Sequence, residues 1–285
     1  MRRLRLPKTG ASAGAADGPV SSLLALSRAE QEVAKGAYTT SRLAHAATLV
    51  VACVTLFVSG TLAYYLAVVA FLTELAAWGL HLLGEGLHAR AEEGRRRALL
   101  ADALAVSDAA LAMRELRTAF TRRAERRAPD YEDDGYYATR REPGLARLCE
   151  QLRESAFWSR RLYRFAWRVT CGCALALIVL VVIALLVVIG AGSSDASLQV
   201  ARVGVLFLSF LVFSDVLTQA LAWREASERS HDVYCRLEHG LDQHATALAV
   251  FGDYSAAAAT TPPIPTLLYK IEKPRLERAW RATSS

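Results

Sequence analysis

Val169 to Ile189 reads VTCGCALALIVLVVIALLVVI, 21 consecutive residues without a charge. Coiled as an α-helix, such a run is about 31 Å long, the thickness of bilayer hydrocarbon. No proline interrupts it, and its composition predicts a membrane span over 166–189. The next residues, Gly190-Ala191-Gly192-Ser193-Ser194-Asp195, have loop composition. A second apolar run follows from Val200 to Trp223. Upstream, Leu43 to Leu83 forms another apolar block. It divides at Gly60, where a missing Cβ permits a tight reversal, into spans over 43–59 and 61–83.

The sequence therefore predicts an all-α, four-span transmembrane protein with long cytoplasmic helical extensions. A disordered arm is expected over 1–22, the first hairpin over 23–83, and an arginine-rich insert over 84–165. The second hairpin covers 166–223, and a cytoplasmic helix and tail cover 224–285. The stretch 84–164 holds seventeen arginines, while the two short interspan loops hold no Lys or Arg. The positive-inside rule places the insert, and hence both termini, in the cytoplasm. Tyr64 and Tyr65 suit one interfacial belt, and Trp167 and Trp223 suit headgroup-level anchors at the other. The five cysteines have no metal or disulfide spacing.

Within the insert, Leu100, Leu104, Leu111, Leu116 and Phe120 read as an apolar stripe on one helix. Pro129, Gly135, Pro143 and Gly144 break the chain after it. One uninterrupted helix is expected from Leu145 through Ile189. After the fourth span, 227–251 is expected to continue helically, with Val233, Leu237, Leu241 and Leu248 on one side and Pro262, Pro263 and Pro265 ending it.

Two constellations suggest function. Glu74 and Asp215 lie in spans two and four, both running inward, at nearly equal distance from the inner ends. In a symmetric oligomer, carboxylates at one depth become rings, a construction that favours cations. Thr218 and Gln219 would extend such a pore lining. A pairing of Asp215 with Arg168, or a hydrogen bond of Glu74 within the bundle, is the structural alternative. The second constellation is the clusters Arg95-Arg96-Arg97, Arg122-Arg123 with Arg126-Arg127, and Arg140-Arg141, with Tyr131, Tyr136, Tyr137 and Trp158 among or near them. Guanidinium forks beside stacking rings suit a nucleotide or oligonucleotide. Contact with anionic lipid headgroups is the plainer use of such arginines.

No catalytic set emerges. Asp133 to Arg140 has the Asp-Gly of a phosphotransferase metal signature, but Tyr131 and Thr139 stand where that chemistry needs an acid and an arginine. The chain reads as a non-enzyme without metal or cofactor.

The layout of two close spans, an arginine-rich helical insert, two further spans and a helical tail resembles the SMODS-associated four-transmembrane pore-forming effectors, among them the Hailong-type antiphage membrane effectors. Tyr136-Tyr137, the run Glu154-Ser155-Ala156-Phe157-Trp158, and Pro262-Pro263-Ile264-Pro265 followed by Tyr269 and Trp280 carry the likeness locally. The resemblance implies a bacterial inner-membrane location and a role in antiviral defence. It further implies an ion channel controlled by a nucleotide that a partner nucleotidyltransferase makes. A homotetramer is the expected assembly. A non-conducting scaffold or receptor that recruits a cytosolic partner is the rival expectation.

Overall fold

The computed structural model describes residues 19–105, 115–132, 137, 139, 141–190, 202–204, 216–238 and 244–284. Among the described residues all regular structure is helical. The elements are α1 (Pro19–Thr55), α2 (Thr61–Leu104), α3 (Arg122–Arg127) leading into a 3₁₀ turn (Ala128–Tyr131), α4 (Leu145–Gly190), α5 (Val216–Glu238), α6 (His244–Thr260) and α7 (Thr266–Ser284).

Two helices, α2 and α4, are long and apolar enough to cross a membrane. Their most apolar windows are 6% and 11% buried, so they are not core helices of this fold. Phe71, Trp78, Leu180 and Leu186 stand exposed on them. α1, which holds the first expected span, is not among them. In α1 the apolar stretch is preceded by Thr39, Thr40, Arg42 and His45. The fourth expected span falls largely on 205–215, outside the described residues.

The hairpin turn is where the sequence put it. Gly60 has φ 73° and ψ −150°, a conformation that essentially only glycine adopts freely. α1 stops at Thr55, and the amides of Leu56 and Phe57 close tight turns onto Cys53 and Val54. α1 and α2 then run antiparallel well beyond the apolar stretch. Ser41 donates to the Ala77 carbonyl at 2.8 Å, and Gln31 donates to Glu92 at 3.2 Å. α4 and α5 form a second antiparallel pair. Ser227 donates to the Arg160 carbonyl at 2.9 Å, and the rings of Phe157 and Tyr234 lie 6.1 Å apart.

Several expectations need correction. Residues 19–22 are helical, with Pro19 opening α1 where its missing N–H costs nothing; residues 1–18 of the expected arm lie outside the described residues. The expected apolar stripe does not lie on one helix. α2 ends with Ala105 in the left-handed conformation, φ 51°, which turns the chain. Leu100 and Leu104 then pack against one core, with Leu148, Leu152, Phe157, Tyr234 and Phe251. Phe120 and Leu116 join a second core with Leu23, Leu26 and Ala98; Leu111 lies outside the described residues. Val233 and Leu237 of α5 are buried, while Leu248 of α6 is exposed; Leu241 and the rest of the stretch 239–243 between these helices lie outside the described residues. The tail is no short segment but the 19-residue α7. Trp223 is not an interfacial anchor; it is 1% exposed and donates to the Pro262 carbonyl at 2.9 Å. The continuous helix from Leu145 is present as expected, 46 residues and thus about 69 Å long.

Polar links tie the pairs together. Arg147 grips Asp102 with both arms of its guanidinium, at 2.8 and 3.1 Å, joining α4 to the end of α2. The fully buried Gln151 donates to the same carboxylate. Glu30, also fully buried, accepts from the Thr121 hydroxyl at 2.6 Å and its amide at 3.2 Å, while that hydroxyl caps α3 through the Ala124 amide.

Gly94 of α2 faces Ser27 of α1 and the Phe120 ring. A Cβ there would stand 2.3 Å from Ser27 Oγ and 2.7 Å from Phe120 Cζ. Both neighbours are buried. Gly94→Ala should therefore destabilise the protein by about 1–3 kcal/mol through overpacking, despite the better helix propensity of alanine. Thermal melting in detergent checks this; an unchanged or higher midpoint would show that the contact yields freely.

Candidate functional site

Beyond the apolar windows, where α1, α2, α4, α6 and α7 meet, lies an open cavity of about 350 Å³. Each helix supplies one stripe of it at helical spacing. Arg28, Gln31 and Lys35 come from α1, and His88, Glu92 and Arg95 from α2. α4 gives Glu154, Ser155, Trp158, Ser159, Leu162 and Tyr163. Tyr254 of α6, Pro263 and Ile264 of the connection, and Tyr269, Lys273 and Glu277 of α7 complete the wall, with Tyr137 of the insert.

Basic groups and aromatic rings alternate around it. Lys35 and Lys273 approach the Tyr269 ring at 5.8 and 5.9 Å, and Arg95 lies 5.6 Å from the ring centre of Tyr254. Tyr254 is positioned in turn by a 2.9 Å hydrogen bond between its hydroxyl and Ser159. Glu92 is held on both sides, by Arg95 at 2.7 Å and Gln31 at 3.2 Å. The lining thus offers four side-chain cations against three carboxylates, with rings between. Such a wall accepts a ligand that is anionic at one place and flat at another.

His88 is 5% exposed, and its Nε2–H donates to the Thr261 carbonyl at 2.9 Å. That bond and the Trp223 bond to Pro262 fix the connection between α6 and α7 from two sides. Burial holds the His88 imidazole below its ordinary value of 6.5, overcoming the opposite pull of Glu92 and of the Thr261 and Ala258 carbonyls.

The residues expected to bind a ligand fare unequally. Tyr137 lines the cavity. Arg122, Arg123, Arg126 and Arg127 are exposed on α3 and form no part of its wall. Arg141 is exposed and paired with Glu150. Tyr136 and Arg140 lie outside the described residues. Arg95, of the first arginine cluster, lines the cavity, whereas the sequence did not single out Arg28, Lys35, His88 or Lys273 as ligand-binding. Their signal was the spacing: polar groups at i, i+3 and i+7 on α1, and at i, i+4 and i+7 on α2, on faces that pack inward.

The expected pore residues also separate. Glu74 on α2 meets His45 of α1 at 2.8 Å and keeps a half-exposed carboxylate. This is the bundle hydrogen bond that stood as the alternative. Gln219 is buried and accepts from Arg42, whose guanidinium lies 5.9 Å from the Trp223 ring. Thr218, one position earlier, is exposed. Asp215 lies outside the described residues. Comparison with family models, curated proteins and solved structures gave no match.

The neutral His88 has a consequence for stability. A base with a lowered folded pKa binds fewer protons folded than unfolded, so its contribution is complete above 6.5 and is lost as pH falls below it. The melting midpoint should be level from pH 8 to 7 and decline below 6.5. His88→Gln should flatten the decline between pH 6.5 and 5.5; parallel curves for the two proteins would assign the decline to other groups.

Proposed function

We propose that this chain is a four-span membrane channel of a bacterial inner membrane, with both termini and the helical body cytoplasmic. It assembles with copies of itself, as a tetramer in the simplest closed arrangement, and conducts ions under control of a nucleotide bound in the cavity. A partner nucleotidyltransferase supplies that nucleotide in an antiviral defence system; this setting follows from the resemblance in layout.

One observation carries the reading. The cavity is walled by α2 and α4, the same two helices whose continuations are apolar, exposed and long enough to cross a bilayer. A ligand that changes how these helices pack at the cavity acts on rigid rods that end in the membrane. Contacts at one level support four spans. Tyr38 sits against Gly84, Arg42 against Trp223, and Arg224 over Trp167 at 5.7 Å. These residues flank the cytoplasmic ends of all four expected spans. Four helices alone enclose no channel wider than their own side chains fill, so a conducting path between protomers is the natural one, and Glu74 and Asp215 become rings there.

The exposed arginines of α3 favour a second reading, a non-conducting receptor whose distal basic helix docks an acidic partner.

Planar-bilayer recording of the purified protein, with and without nucleotide oligomers on the arginine-rich side, separates the two. Discrete currents that the nucleotide switches on or off are expected. Glu74→Gln and Asp215→Asn should each reduce cation selectivity or conductance several-fold. Silence from inserted, oligomeric protein in both conditions would favour the receptor, and unaltered currents in both variants would remove these acids from the pore.

A further inference from the structure

α4 carries an uncovered basic stripe where it enters its apolar run. Arg161, Arg164 and Arg168 stand at i, i+3 and i+7, so they share one face of the helix and cover about 10 Å along it. With the uncharged run from Val169 in hydrocarbon, that length is close to the depth of a headgroup layer, about 5–8 Å per leaflet. Arg161 and Arg168 are exposed, Arg164 is half-buried, and among the described residues none of the three has a carboxylate partner. Below Arg161 the face is closed, since Phe157 is buried with the Trp280 ring 5.0 Å away and the Arg161 guanidinium 4.5 Å from its ring centre. Above Arg168 the same face stays open and turns apolar, through the exposed Leu175, Val179 and Leu186. One face of one helix is thus cationic at headgroup depth and apolar at hydrocarbon depth.

We propose that this face binds an acidic phospholipid, its phosphate held by Arg161, Arg164 and Arg168 and an acyl chain lying along Leu175, Val179 and Leu186. Guanidinium N–H groups donate to phosphate oxygens in a two-armed geometry. Three cations with no carboxylate among them call for a headgroup of net negative charge, not a zwitterionic one. A second copy of the chain fits this face less well. It would have to bring carboxylates to the depth where the spans enter the membrane, and the described acids there are committed: Glu85 to His81, Glu225 to Arg229 and Glu228 to Arg224. The opposite face of the same turns, with Ser159, Leu162 and Tyr163, lines the cavity, so the lipid and the cavity ligand take the two sides of one rod. The inference rests on α4 crossing the membrane and is independent of the nucleotide and of conduction.

The test is native mass spectrometry of the full-length protein in neutral detergent, titrated with phosphatidylglycerol or with phosphatidylcholine of matched chains. Phosphatidylglycerol should bind at least about fivefold tighter, the worth of a single arginine at an anionic surface. The triple variant Arg161→Gln, Arg164→Gln, Arg168→Gln should erase that preference, and the same three changes to Lys should keep part of it. Gln at Arg122, Arg123, Arg126 and Arg127 should change nothing, because Thr121, which caps α3, is held by Glu30, about 20 Å along α1 from the expected first span. Equal binding of the two lipids, or an undiminished preference in the triple Gln variant, would overturn the site. Loss of self-association in that variant with lipid binding unchanged would give the face to a second copy instead. Should the triple variant fail to fold, Arg164→Gln alone decides, since an undiminished preference there would also overturn the site. Wild-type protein that fails to float with liposomes would overturn the membrane reading itself.

Discussion

An α-helix that carries no breaker where it passes from apolar to polar sequence transmits position as a rod, and two such helices organise this protein. α2 holds 44 residues and α4 holds 46, each without proline or an internal change of helix type. The repeating backbone hydrogen bonds of each helix link residues four apart along its own length, so the register set at one end is kept at the other. The remaining architecture is arranged along these rods. α1 packs back along α2, α5 along α4, and the short helices α6 and α7 close the polar end. The cavity lies where side chains from five helices line a space without filling it.

The polar ends are held by directed contacts as much as by apolar burial. Both cores have a charged latch beside them: Asp102 with Arg147 and Gln151 next to the first, Glu30 with Thr121 next to the second. Glu30 is fully buried, so losing Thr121 would strip a buried carboxylate of two donors, while the part-exposed Asp102–Arg147 pair contributes mainly by its directed, two-armed geometry. At Gly94 the absence of a side chain favours one arrangement of helices, since one register alone brings Ser27 and Phe120 against bare backbone.

Much of this was legible in the sequence. The long uncharged run from Val169, the glycine at the first turn and the lack of breakers after Leu145 each act through local backbone physics, which sequence reports directly. The three local features behind the family resemblance converge in space. Tyr137, Glu154, Ser155, Trp158, Pro263, Ile264 and Tyr269 all line the cavity, although they come from three separate stretches. The cations of the site were not legible, because arginine clusters dominate the eye while isolated Arg28, Lys35 and Lys273 acquire meaning only when α1 and α7 are brought together. The insert misled for a related reason. Its stripe from Leu100 to Phe120 has helical spacing, but Ala105 takes a left-handed turn that no residue type there announces, and the stripe is shared between two cores.

The link between α6 and α7 is only Thr261 to Pro265, three of its five residues are proline, and it is pinned to α2 and α5. A tether so short and stiff keeps α7 at a high effective concentration over the cavity, with little entropy to lose each time it reseats. Trp280, whose ring lies 5.0 Å from that of Phe157, is the far end of the same arm. The wall that α7 gives the cavity is therefore a standing one, kept in place by covalent connection as well as by its side-chain contacts.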